Sequence, residues 1–159
     1  MMAHDHVNVA VDGSATKGVG PVPARQLEDG SWLLLHSPLY ALQLAAGDTI
    51  RIVDNETGTF DVLAHGGNVV VQFYLSEQEW KDPQATARAA SAITPGVVAC
   101  GGRLEGQTRG LIVYTIPLEA GFSAIEAMFA EAVHAFPGAQ WQYTNVYDAR
   151  TGEPLRWWE

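Results

Sequence analysis

Val69-Val70-Val71-Gln72-Phe73-Tyr74-Leu75-Ser76-Glu77-Gln78-Glu79 is the stretch from which the fold reads. Val69, Val71, Phe73 and Leu75 alternate with their neighbours at the two-residue period of a strand. Directly behind them, Ser76 and Glu79 have the spacing of a capping box, in which the two residues satisfy each other's backbone donors. Pro83 constrains Asp82 away from the helical region. A short turn is therefore expected first, then a helix with Asp82 as N-cap and Pro83 at its first position. That helix covers the alanine-rich Gln84–Ile93 and is expected to stop at Pro95-Gly96.

Working outward towards the C-terminus, two strands are expected, 97–104 and 111–116, joined by a polar turn at 105–110. Ser123-Ala124-Ile125-Glu126 repeats the capping-box spacing. Phe122, Ile125, Phe129, Val133 and Phe136 recur three or four apart, one apolar stripe of a helix that Pro137-Gly138 ends. Trp141, Tyr143, Asn145 and Tyr147 then alternate with Gln140, Gln142, Thr144 and Val146 as a final strand. Residues 68–148 thus read β-α-β-β-α-β, the order of a ferredoxin-like unit.

Towards the N-terminus the texture is that of strands and turns. Val7, Val9 and Val11 alternate with polar or small neighbours, and residues 13–23, with three glycines and two prolines, read as a long loop. Glu28-Asp29-Gly30 is a turn, residues 31–36 a buried strand ended by Pro38, and 49–64 a hairpin about Asn55-Glu56-Thr57-Gly58. The expected fold class is α+β in a single domain, residues 1–159. An antiparallel β-meander (1–67) packs with the ferredoxin-like unit (68–148), and a tail (149–159) follows.

Apolar residues make up 47% and charged residues 17% of the 159, a globular balance. Eighteen acidic residues face nine basic ones, for a net charge of −9. Such a field repels phosphate backbones and anionic lipid and attracts basic partners. The lone cysteine, Cys100, precludes an intramolecular disulfide and, beside Val97 and Val98, reads as a buried thiol. The N-terminal residues lack the basic and apolar regions of a signal peptide, and no apolar run has the length of a membrane span. A soluble, cytoplasmic chain in a reducing compartment is expected.

His4 and His6 flank Asp5 at a spacing that can hold a divalent ion, but a usable site needs three or four held ligands, and a frayed terminus is the simpler account. No metal or cofactor is expected. His36, Asp48, Asp61 and His65 would supply acid–base pairs if they converged, yet nothing in their spacing forces it; Asp48, after Gly47, has the position of a turn aspartate. Gly66-Gly67 and Gly101-Gly102 lack the lysine and the spacing of phosphate-binding loops and read as turns or bulges. The rings of Trp141, Tyr143 and Tyr147 would suit base stacking, but the acidic charge argues against it. Trp157-Trp158 dock either on the chain's own surface or on a partner. Asp54, Glu56 and Asp61 form one acidic group, and Glu77, Glu79 and Asp82 another. Each is explained by solvated turns and helix starts, or serves as a contact patch for a basic partner.

Ala24-Arg25-Gln26-Leu27-Glu28-Asp29-Gly30-Ser31-Trp32, Ser37-Pro38-Leu39-Tyr40-Ala41 and Leu44-Ala45-Ala46-Gly47-Asp48-Thr49-Ile50 together carry a pattern of the form DG-x-[YW], P-x-[YF]-A and GD-x-[IV]. With the later Gly110-Leu111-Ile112-Val113 strand reaching Pro117, it resembles a family of small bacterial proteins known as a domain of unknown function, over residues 24–148. No catalytic residue carries over from that family. Some similar small acidic proteins are encoded beside secreted toxins, so the resemblance implies an immunity protein that neutralises a cognate toxin by occluding its active site. The expected partner is a toxin with a basic surface, not nucleic acid or membrane, and no enzyme activity is expected. Asp54, Glu56, Asp61, Glu77, Glu79, Asp82, Trp157 and Trp158 are the expected contacts. A small-molecule-binding or regulatory domain is the alternative, and a small enzyme using His36, His65 or the nearby aspartates a further one.

Overall fold

The structure is a computed structural model that describes residues 5–10, 19–39, 43–148 and 150–159. It is α+β and divides into two compact units, one built from the chain up to Asn68 together with Thr144–Glu159, the other spanning Val69–Tyr143.

In the first unit, β1 (Asp5–Ala10), β2 (Val19–Gln26), β3 (Trp32–Leu34), β4 (Thr49–Asp54) and β5 (Thr59–Ala64) form one sheet in the order β1-β2-β3-β4-β5. Each neighbouring pair is antiparallel, as expected of a meander. Ala10 N donates to Gly58 O at 2.8 Å, so the first strand is tied to the turn between β4 and β5 and the sheet curls back on itself. Strand alternation turns Val7, Val9, Val22, Ala24, Leu34 and Ile50 into a common core with Leu44, against which Trp32, Ile52, Phe60 and Val62 pack.

The expected loop at 13–23 is corrected from residue 19 onward, where β2 begins; residues 11–18 lie outside the described residues. Pro21 and Pro23 sit in a strand that has neighbours on both sides, paired with Asn8 and His6 of β1. Pro23 O accepts from Leu35 N, so that residue turns its backbone edge away from β1, and Pro21, two residues earlier, turns the same way. β3 pairs only with Ala24–Gln26, so Pro23 still accepts at the end of that ladder, while its missing donor and that of Pro21 fall outside the residues β3 pairs with.

In the second unit, β6 (Asn68–Tyr74), α1 (Glu77–Trp80), α2 (Ala85–Ala99), β7 (Arg103–Thr108), β8 (Leu111–Pro117), α3 (Phe122–Ala135) and β9 (Gln140–Tyr143) follow in the expected β-α-β-β-α-β order. The sheet order is β7-β8-β6-β9. Ile125 and Phe129 of α3 are fully buried, and Phe129 meets Phe73 of β6, Tyr114 of β8 and Trp141 of β9 at centroid distances of 6.3, 6.0 and 5.4 Å.

Several boundaries depart from expectation. α2 passes through Pro95 to Ala99 instead of stopping there. The reason is burial: Ala85, Ala89, Ile93 and Val97 fall four apart on one buried stripe, so Val97 belongs to the helix and not to a strand. The helix ends at Cys100, which is half-buried rather than buried, and Gly101 (φ 84°) and Gly102 donate to Val98 O and Val97 O. α2 also begins after Pro83, with Gln84 as N-cap; Asp82 accepts from Gln84 N in the turn before it. The expected turn at 105–110 is mostly β7, bulged at Glu105, and the hairpin turns on Arg109-Gly110 alone. α3 starts at Phe122 behind Gly121 (φ 90°), leaving Ser123 inside the first turn with no capping role. β9 ends at Tyr143 because Asn145 leaves the ladder and its Nδ2 donates to Asn68 O at 2.9 Å.

Candidate functional site

The β4–β5 hairpin gathers the first acidic group on one outward face. Ile50 and Ile52 pair with Val62 and Phe60 and point to the core, so Arg51 and Asp61, paired across the strands, point to solvent. Register shifts leave Val53 unpaired on β4 and Leu63 unpaired on β5, and both are exposed, at 62% and 46%. Bulges twist the edge of a sheet and re-aim side chains, and here they turn two large apolar residues outward. Asp54 closes the turn, its carboxylate accepting from Glu56 N at 2.9 Å and its carbonyl from Gly58 N at 2.8 Å. Arg51 lies 3.5 Å from Asp29 of the β2–β3 turn. Arg51 thus has Asp29 beside it and Asp61 across the ladder, while Asp54 and Glu56 lie in the turn that closes the hairpin, next in sequence to the exposed Val53.

The second acidic group is used locally. Ser76 accepts from Glu79 N at 3.2 Å and starts α1, whose first turn carries Glu77 and Glu79. Asp82 is paired with Arg88 at 2.7 Å, and that hydrogen bond, with the one from Gln84 N, holds its carboxyl below the usual range.

Trp157 docks on its own unit. Its ring stacks on His65 at 4.8 Å and 16°, and Nε1 donates to Asn145 O at 2.7 Å. Trp158 meets Trp157 edge-on at 5.3 Å. The segment that presents them is a folded return: Tyr147 bridges Pro154, Leu155 N donates to Val146 O, and the Asp148 carboxylate accepts from Arg150 N and Thr151 N.

Of the dispersed acid–base candidates, the structure brings Asp48 and His65 together. Asp48 is fully buried; Oδ2 accepts from Ala45 N at 3.0 Å and Oδ1 from Gly66 N at 2.9 Å, with His65 Nδ1 3.7 Å from Oδ2. Burial pushes the carboxyl up to about 6, while the two amide donors pull it down; burial also lowers His65. A Cβ on Gly66 would lie 2.4 Å from the backbone of Gly47, so this loop is glycine because two chains touch there. Both carboxylate oxygens accept from loop backbone, an arrangement that clasps loop 45–48 to loop 65–66. Asp61 lies on the hairpin face instead, and His36 is exposed beyond β3.

The remaining candidates have ordinary places. His6 is exposed on β1, and His4 lies outside the described residues. Among the described residues no group of three or more His, Cys, Asp and Glu is placed to hold a metal, and no helix is long and apolar enough to cross a membrane. Trp141 and Tyr143 pack on Phe129 and Phe122 of α3 at 5.4 and 5.6 Å, so they are not a stacking platform, and Tyr147 lies beyond the strand. Sequence reasoning missed the aliphatic pair Val53 and Leu63, whose exposure comes from bulges that alternation alone does not reveal.

A solved structure of a hypothetical protein from Neisseria gonorrhoeae is similar to this chain, with a TM-score of 0.61 and 12% identity, over 91% of this chain and 94% of that one. At that identity the likeness shows the fold alone. No curated protein matches the sequence. The model of the family described as a domain of unknown function, DUF4265, matches residues 21–136. The chain, matched over most of its length, belongs to that family.

Proposed function

We propose that this protein is an immunity protein that binds a cognate bacterial toxin domain and occludes its active site, using the outward face of the β4–β5 hairpin. The observation that carries the reading is the occurrence of Asp54, Glu56 and Asp61 with the exposed Val53 and Leu63 on one hairpin. Exposed acids steer a basic partner during encounter, and uncovered aliphatic side chains on the same hairpin supply the desolvated contact that sets residence time. Toxins that act on nucleic acids or nucleotides present basic clefts, which a surface of this kind complements. Trp157 is spent on its own unit, so Val53 and Leu63 replace it as the anchors.

The test is binding of the purified protein to the product of the neighbouring gene, followed by association kinetics at two salt concentrations. The triple variant D54A/E56A/D61A is expected to slow association by roughly tenfold or more and to flatten its salt dependence. V53S/L63S is expected to speed dissociation. Unchanged kinetics in both variants, against a partner that does bind, would overturn the assignment of this face; the absence of any stoichiometric partner would overturn the immunity reading.

A further inference from the structure

The second unit holds an open depression of about 380 Å³ between the segment after α1, the first turn of α2 and the β7–β8 turn. That volume lies within the range of small-molecule sites. Lys81 and Arg109 both line it, two of the nine cationic side chains in a chain of net charge −9. Among the described residues neither has a carboxylate within 4.0 Å. The acid in the same wall, Asp82, is already neutralised by Arg88. Two cations lining one depression without a carboxylate partner run against the charge of the whole molecule.

The turn that carries Arg109 is clamped. Its guanidinium lies over the Trp80 ring at 4.3 Å. Gly110 (φ 78°) presses on the same indole so closely that a Cβ would sit 2.7 Å from Cδ1, and Gly110 N donates to the buried Thr86 Oγ1 at 2.9 Å. A stacked guanidinium keeps its in-plane N–H groups free for a carboxylate or phosphate. Holding it in advance also lowers the ordering cost of binding. Pro83 and Ala87 supply an apolar wall beside the charges.

The geometry points to a binding site for a small organic anion, a carboxylate or phosphate monoester with a compact apolar body, gripped by Arg109 and Lys81. Full-length protein titrated with phenyl phosphate, benzoate and neutral phenol, and followed by amide and indole N–H NMR, tests it. Saturable shifts centred on Trp80, Thr86 and Arg109-Gly110 are expected with an anion and not with phenol, and the tighter of the two anions identifies phosphate or carboxylate as the natural group. R109Q is expected to weaken binding about tenfold, with R109K only partly restoring it because lysine lacks the planar fork. Both changes fall on an exposed side chain, and the spectrum of each variant reports its folding. No saturation with either anion, shifts scattered over the surface cations, or equal affinity in R109Q/K81Q would overturn the site.

Discussion

Asp48 shows what a single residue contributes and how little of it is visible locally. Its place after Gly47 identifies it as a turn aspartate, and it does accept from Ala45 N within that turn. The second half of its role, the bond from Gly66 N, depends on a loop brought beside it by the β4–β5 hairpin, which no local pattern encodes. The same holds for His65 and Trp157, whose stacking joins distant parts of the chain. The raised carboxyl has a consequence for stability. Asp48 binds its proton more tightly folded, at about 6, than unfolded, near 3.8, so it contributes stability that is complete below the unfolded value and is lost as pH rises through 6. Two pH units correspond to about 3 kcal/mol at most. His65, lowered by burial, acts in the opposite sense: its contribution is present above its unfolded value near 6.5 and is lost as pH falls through the folded one. Urea denaturation of H65Q from pH 7.5 to 4.5 is expected to show the Asp48 contribution growing as pH falls, relative to H65Q/D48N, in which it is absent. Parallel profiles for the two variants would mean that the carboxyl titrates normally.

Elements were legible where one periodicity acted alone. Val69, Val71 and Phe73 placed β6, and Asn55-Glu56-Thr57-Gly58 placed the β4–β5 turn, because strand alternation and turn chemistry agreed there. Reading failed where proline stood against burial. Pro21 and Pro23 suggested a loop, yet their missing donors face a stretch that β3 does not reach. Pro95 suggested a helix end, yet the stripe Ala89, Ile93 and Val97 carries α2 one more turn into the core. Proline in a helix interior loses a backbone bond and crowds the preceding turn, at about 3 kcal/mol relative to alanine. Pro95 is exposed, so its replacement disturbs no packing. P95A is therefore expected to stabilise the protein by about 1–3 kcal/mol, read as a raised midpoint in thermal or urea denaturation. A lowered midpoint would show that the helix needs the bend that proline imposes.

At the scale of the molecule, the ferredoxin-like unit is a continuous stretch of chain, and the meander is completed from both sides of it. Residues 144–159, which read as strand end and tail, belong to the first unit. They are held there by Asn145 Nδ2 on Asn68 O, Trp157 Nε1 on Asn145 O and the Trp157 ring on His65. Composition could not reveal this, since a tail that returns and a tail that stays free differ only in whether a surface awaits the tryptophan. Replacing a packed tryptophan by alanine costs about 3–5 kcal/mol when it is fully buried and less for a half-buried ring such as this one. W157A is expected to lower protection against hydrogen exchange in β1–β5, whose unit the ring helps to close, while amides of α2 and α3 keep theirs. H65A should reproduce part of that loss through the same stack. Loss confined to residues 150–159 would mean that the returning segment decorates the meander without closing it. Equal loss in the helices would mean that the two units open together.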